Sequence, residues 1–195
     1  MKSALPVEDS YREAIDNKSE YNRILLDAKA AIDTVIHSHM LKRADMAGIT
    51  DIHWTPIKDF HINAMSSMKW AGRTSQQFSV NQGVRQGGIH STDIHKLYIN
   101  PLLIRLEDTG IGFRIGNICS NNTACAGDIA LIGTDTVDTQ ILVNMVSDYA
   151  FMEGYQLQPA KSVAIKITPN PKSSKKVETT TSLFRVGNQK MPSVK

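Results

Sequence analysis

Short apolar runs of strand length alternate along this chain with stretches of helical spacing, and that order restricts the fold more than any other feature. Ile24-Leu25-Leu26 reads as a buried strand that delivers Asp27 at its end. From Asp33 the pattern turns helical, through 37–47, and stops at Gly48. Thr55-Pro56 predicts a second helix start, with Thr55 as N-cap and Ile57, Phe60, Ala64 and Met68 at helical spacing. Residues 68–82 read as a hairpin with arms Lys69-Trp70-Ala71 and Phe78-Ser79-Val80 and a turn over 72–75. A helix runs from Ser91 or Thr92 to about Asp108, with Ile94, Leu97, Tyr98 and Leu102 inward and a kink at Pro101. A strand over 112–118 and a turn at Ser120-Asn121-Asn122 follow. Two arms, 123–126 and 129–132, then meet at Gly127-Asp128. The next helix, 135–153, carries a stripe of Val137, Ile141, Leu142, Met145, Val146 and Tyr149. Strands over 155–158 and 162–168 come next, and a last hairpin turns at Gly187-Asn188. This order predicts an α+β fold, a mainly antiparallel sheet with helices on one face.

Composition excludes more than it selects. A length of 195 residues suits one domain, or one domain plus a fragment. A net charge of +3 is too small by itself to argue for nucleic acid. Cys119 and Cys125 lack paired metal spacing and read as reduced thiols of an intracellular protein, nuclear or cytoplasmic. No apolar run approaches the roughly 20 residues that span a bilayer. Trp54 and Trp70 read as packing residues, and Met40, Met46, Met65, Met68 and Met145 as core filler. His37 and His39 diverge on a helix start, and His53, His61, His90 and His95 make no ligand spacing. Residues 169–181, rich in Pro, Ser, Thr and Lys, read as a linker, whose Lys172, Lys175 and Lys176 either touch phosphate or are simply solvated.

Chemistry concentrates in four places. Asp27 and Asp128 are strand-end carboxylates. Such groups either converge to hold divalent cations or cap turns. The run from Gln82 to Thr92, with Arg85-Gln86-Gly87-Gly88 at its centre, offers glycine backbone before a helix start, which suits phosphate or a plain turn. Lys161, after a Pro turn, is a general acid or a solvated cation.

Taken together, Leu26–Val35, Gln82–Thr92, Thr123–Leu131, Gly154–Ser162 and the hairpin Leu183–Pro192 resemble the reverse transcriptases of non-LTR retrotransposons, over about residues 23–192. The resemblance implies a polymerase palm, with fingers and thumb largely missing. Its parts would be a lead-in at 1–22, the palm at 23–168, a linker at 169–181 and the start of a post-palm hairpin at 182–195. It implies RNA-templated DNA synthesis from an RNA template, a DNA primer and dNTP, with no membrane partner. Two Mg²⁺ ions would be held by Asp27 and Asp128. Ile32 falls where the family packs an aromatic under the sugar. Arg85, Gln86, Gly87 and Gly88 form the nucleotide-facing loop, and Lys161 matches the lysine near pyrophosphate.

One departure weighs most. Gly127 stands where the family carries its first motif Asp, and Cys125 where it carries Tyr. Strand alternation predicts that Asp128 points to the other face and does not replace the lost group. The expectation is therefore a lost or strongly impaired polymerase, a pseudoenzyme. The alternative is a non-catalytic remnant that binds nucleic acid or protein.

Overall fold

The computed structural model describes residues 5–85, 87–88, 90–115, 118–125, 127–168, 177–180 and 183–192. In chain order the elements are α1 (Leu5–Asp16), β1 (Tyr21–Leu26), β2 (Ala28–Lys29), α2 (His37–Met46), α3 (Asp51–His61), β3 (Met65–Ser66), β4 (Lys69–Trp70), β5 (Arg73–Thr74), β6 (Phe78–Ser79) and α4 (Ser91–Asp108). They continue with β7 (Phe113–Ile115), β8 (Ile118–Ser120), β9 (Asn122–Cys125), β10 (Asp128–Gly133), α5 (Thr136–Met152), β11 (Gln156–Leu157), β12 (Val163–Thr168), β13 (Val177–Thr180), β14 (Arg185–Val186) and β15 (Gln189–Lys190). The predicted α+β class is thus borne out. Of the stretch 169–181, residues 177–180 form β13; Lys172, Lys175 and Lys176 lie outside the described residues. No helix among the described residues is long and apolar enough to cross a membrane.

The chain divides into two compact units, residues 1–29 with 101–195, and residues 30–100. The first holds an antiparallel sheet in the order β13-β12-β1-β10-β9. Period-two alternation decides its two faces. On one face Ile24, Leu26, Ile129, Leu131 and Ala164 are all buried, where α5 packs. Gly133 ends β10 on that face; a Cβ there would stand 2.0 Å from Thr139 Oγ1, so only hydrogen lets α5 lie this close. Asp135 caps α5, its carboxylate accepting the Asp138 N–H at 2.8 Å.

The opposite face is covered at one end only. Tyr21, Ile132 and Ile167 are buried there with Ala14 of α1 and Phe113 of β7. The Tyr21 ring meets Phe113 edge-on at 5.9 Å and Tyr11 at 6.1 Å. Along β1 on this face the cover thins. Tyr21 is fully buried, Arg23 half-buried and Leu25 45% exposed, and the strand then ends before Asp27.

The second unit is built on Val35, Met40, Leu41, Val84, Ile94 and Tyr98. Arg43 lies over the Tyr98 ring at 4.4 Å and donates to the Tyr98 carbonyl at 2.6 Å.

Several expectations need correction. Helix α3 begins at Asp51, so Pro56 lies inside it and Thr55 is no cap. Proline there removes one backbone donor without stopping the helix. Instead the Thr55 hydroxyl donates to the Asp51 carbonyl at 3.0 Å. The helix ends at His61, so Ala64 and Met68 belong to no helical stripe. The hairpin turns two residues earlier than expected, at Ala71-Gly72, with φ of 47° and 76°. Residues 112–118 do not make one strand: β7 pairs antiparallel with β8. Asn121 is no surface turn residue but a buried amide donating to the Leu106 and Ile111 carbonyls. On α5 the buried stripe is Thr139, Leu142, Val143, Val146, Tyr149 and Ala150, while Val137 and Ile141 are exposed. Met40 is core, but Met46, Met65 and Met68 are exposed. Trp70 does not pack: it is 83% exposed. Trp54 is half-buried and donates to the Leu41 carbonyl at 3.4 Å.

Burial of His95 on α4 lowers its pKa below the usual 6.5. The unfolded chain therefore takes this proton first as pH falls, and the stability contributed by neutral His95 is present above 6.5 and lost below it. Urea denaturation of the wild type and of His95→Asn at pH 7.5 and pH 5 checks this: stability should fall less steeply in the variant.

Candidate active site

Asp27 and Asp128 arrive from strands that are neighbours in the sheet. β1 and β10 run antiparallel, and their last pair is Leu26 with Ile129. One step further, the same register sets Asp27 opposite Asp128. Directly opposed residues have Cα atoms about 5 Å apart and share a face. That face is the half-covered one, with Leu25 and Ala130 just behind. The alternation argument that turned Asp128 away therefore fails. It took Gly127 and Asp128 as successive strand residues, whereas Gly127 lies in the turn and Asp128 opens β10 opposite Cys125 of β9. Asp128 and Cys125 are both exposed, Asp27 half-buried.

Asp27 is held from three sides. Its backbone N–H donates to Ser162 Oγ at 3.2 Å, and its carbonyl accepts the Gln158 N–H at 2.8 Å. Gln158 Nε2 donates to its carboxylate at 2.6 Å. Ser162, fully buried, donates in turn to the Gln158 carbonyl at 2.8 Å. Lys161 lies in this same turn, its N–H donating to the Gln158 carbonyl at 3.0 Å and its side chain exposed. Beside it β11 pairs with β2, Leu157 opposite Ala28, which ties the turn to the chain just after Asp27. The structure thus brings Asp27, Asp128 and the turn of Lys161 to one end of the sheet. Gln158 and Ser162 were not picked out from the sequence. Their only signal was polarity next to Lys161.

The remaining predicted residues lie in the second unit. There the segment after Asp27 is stitched to the glycine loop. Gly83 N–H donates to Val35 O at 2.8 Å, Val84 N–H to Ile32 O at 2.9 Å, and Ile36 bridges Gln82. His37, read as bland, fastens this junction: buried, it donates from Nε2 to the Gly83 carbonyl at 2.8 Å. Gly83 has φ +91°, and a Cβ there would stand 2.8 Å from the Asp33 carbonyl oxygen. Ile32 is half-buried against the Val35 and Val84 cluster. Arg85 is exposed, its guanidinium 5.6 Å from the centre of the Phe60 ring. Its carbonyl accepts the Gly88 N–H at 3.2 Å and the Ser91 hydroxyl at 2.5 Å, and Gly87 takes φ +79°. Gln86 lies outside the described residues. A cavity of about 410 Å³ opens in this unit beside the loop, lined by Asp33, His37, His61, Gln82, Gly83 and Arg85 among others. Among the described residues no group of three or more metal-binding side chains is assembled.

The fold is similar to that of a telomerase from Candida tropicalis, with a TM-score of 0.63 over 93% of this chain and 37% of that one, at 15% identity. In sequence the chain is similar to the Pol polyprotein of the retrotransposable element R2DM of Drosophila melanogaster, 26% identical over 170 residues. It is also similar to the Pol polyprotein of an R2 element of Popillia japonica, 27% identical over 146 residues. These matches take in 87% and 74% of this chain but only 16% and 24% of the relatives. No protein-family profile matches the chain. The chain carries a reverse-transcriptase-like α+β domain related to R2 retrotransposon proteins, and the resemblance read from its motifs is borne out.

Two substitutions test the supports. Gly83→Ala should destabilise the chain by about 1–3 kcal/mol, because it adds a strained φ to a backbone clash. Ser162→Ala should cost about 1–3 kcal/mol, because it leaves the Asp27 N–H without its acceptor, while the Gln158 carbonyl keeps the Lys161 and Ser162 N–H groups. Chemical denaturation reads both. A wild-type midpoint in Ser162→Ala would show that this hydroxyl does not hold the Asp27 turn.

Proposed function

We propose that this chain is the palm portion of a reverse transcriptase whose polymerase activity is lost or strongly impaired. The observation that carries this is the pairing of β1 with β10, whose register sets Asp27 opposite Asp128 while Gly127 occupies the turn. Like charges directly opposed destabilise an antiparallel pair, so two carboxylates here favour a cation between them. Their hard oxygen donors suit Mg²⁺.

The donor set fits one ion better than two. Asp27 and Asp128 would hold it, and glycine adds no ligand. When bound, the cation supplies charge neutralisation at the transferring phosphate and activation of the primer 3′ oxygen. Gln158 orients the Asp27 carboxylate. Lys161 is the group to protonate the departing pyrophosphate. Arg85, Gln86, Gly87 and Gly88 offer the nucleotide-facing loop, and Ile32 the surface under the sugar. An aliphatic side chain there is smaller than the family's aromatic and weakens selection between ribose and deoxyribose. RNA template, DNA primer and dNTP are the implied partners.

Loss of one carboxylate about 4 Å from a cation forfeits roughly 4 kcal/mol at an effective dielectric near 20. If all of it falls on the transition state, the rate drops about a thousandfold. Primer extension on an RNA template with Mg²⁺ tests the reading. The chain as it stands should extend barely or not at all. Gly127→Asp should tighten Mg²⁺ binding roughly tenfold or more, and Asp27→Asn should erase that gain. Robust extension by the unmodified chain would overturn the claim of impairment. Indifference of metal affinity to both substitutions would remove Asp27 and Asp128 from the metal site.

A further inference from the structure

We propose that the hairpin Met65–Ser79 is a contact surface for single-stranded nucleic acid, with Trp70 as a stacking platform and Arg73 as its phosphate partner. This rests on the polymerase-type reading above, to which it adds a strand-binding element outside the carboxylate end of the sheet.

Three observations converge. First, the hairpin is exposed throughout. Every residue from Met65 to Ser79 is open to solvent, and Trp70 reaches 83%. Met65, Met68 and Phe78 are exposed beside it, at 52%, 67% and 46%. A two-stranded ribbon is marginal in water, and large apolar groups left bare on one call for an occupant.

Second, the charge has one sign. From Phe60 to Thr92 the sequence contains Lys69, Arg73 and Arg85 and no carboxylate. The whole chain is close to neutral, so this segregation is local. An acidic polymer fits such a ribbon; a basic or neutral protein face would leave Lys69 and Arg73 without counter-charges.

Third, the tip has the geometry of base stacking. Trp70 and Arg73 are direct cross-strand partners, flanking the two-residue turn Ala71-Gly72. Positive φ at both turn residues, 47° and 76°, matches the tight turn that keeps the strands paired to the end. The indole and the guanidinium therefore project from one face of the tip, side by side. A base lies on the indole, and its phosphate falls within reach of the guanidinium. Lys69, paired with Thr74, serves the other side. At its base the hairpin runs into the 410 Å³ cavity. Met65, Ser66 and Val80 line one wall and Gly83, Val84 and Arg85 another, so one strand can follow cations from the tip to the glycine loop. Stacking is indifferent to base identity, so contact without sequence preference is expected.

The test uses the full chain without metal, in a Trp54→Phe background that leaves Trp70 as the single tryptophan, excited selectively over the tyrosines. Oligo(U) and oligo(dT) of twelve nucleotides should quench its emission saturably, and a duplex of equal length should not. Followed by the anisotropy of a dye-labelled strand, since these variants lack the reporter indole, Trp70→Leu should weaken strand binding roughly tenfold, and Trp70→Phe should keep most of it, because only the latter retains a π-face. Arg73→Gln should lower the slope of log affinity against log salt by about 0.7. Trp70 is on the surface, so these variants should keep the wild-type circular dichroism and melting curve. Unchanged emission with both strands, equal quenching by duplex, or equal affinity of the Leu and Phe variants would each overturn the proposal. The readout is independent of the carboxylates. A chain that quenches but fails to respond to Gly127→Asp sinks only the catalytic reading, and one whose Mg²⁺ affinity rises with Gly127→Asp but whose emission is not quenched sinks only this one.

Discussion

The pairing of β1 with β10 on one side and β12 on the other is the constraint on which this unit depends. Lying between β12 and β10, β1 touches both, and its side chains set both faces of the sheet. Because side-chain direction repeats every two residues, a slip of one position would turn Ile24 and Leu26 outward and bring Leu25 in. The cost of that exposure holds the register. The register then fixes, as a by-product of burial, that the residue after Leu26 meets the residue before Ile129. The two aspartates stand at opposed positions because the apolar residues behind them hold the register.

The second unit obeys a different rule. Its glycine loop is placed by backbone hydrogen bonds to the Ile32–Ile36 segment, and those bonds demand a residue without Cβ at Gly83. His37 closes the arrangement from within the core. The segment leaving Asp27 is therefore shared: its beginning belongs to the sheet and its continuation to the loop.

Much of this was legible in advance. Strands β1 and β12 show period two or an unbroken apolar run, and α5 begins at an aspartate that does cap it. Failures had identifiable causes. Pro56 reads in sequence as a start signal, although a proline deep in a helix removes just one donor. The hairpin turn was misplaced because Ala71 gives no hint of a left-handed backbone; the glycine beside it drew the turn forward. Trp70 and the nearby methionines were assigned to a core on hydrophobicity alone, which does not say whether anything lies opposite. Gln158 was invisible because its hydrogen bond to Asp27 is tertiary, closing over a wide span of chain. The face of Asp128 was misjudged because alternation holds within strands, and Gly127 lies outside one.

The partial cover on the second face of the sheet has its own consequence. Tyr21, Ile132 and Ile167 are dry under α1 and β7, whereas Leu25 and the carboxylates are wet, so a waterline crosses the sheet between Arg23 and Leu25. Field lines from charges at such a shore are not screened from behind. The attraction proposed for Asp27 and Asp128 toward a cation would therefore depend on residues that never touch it, and exchanging Ala130 or Val163 for something polar would retune the proposed site by moving the shore.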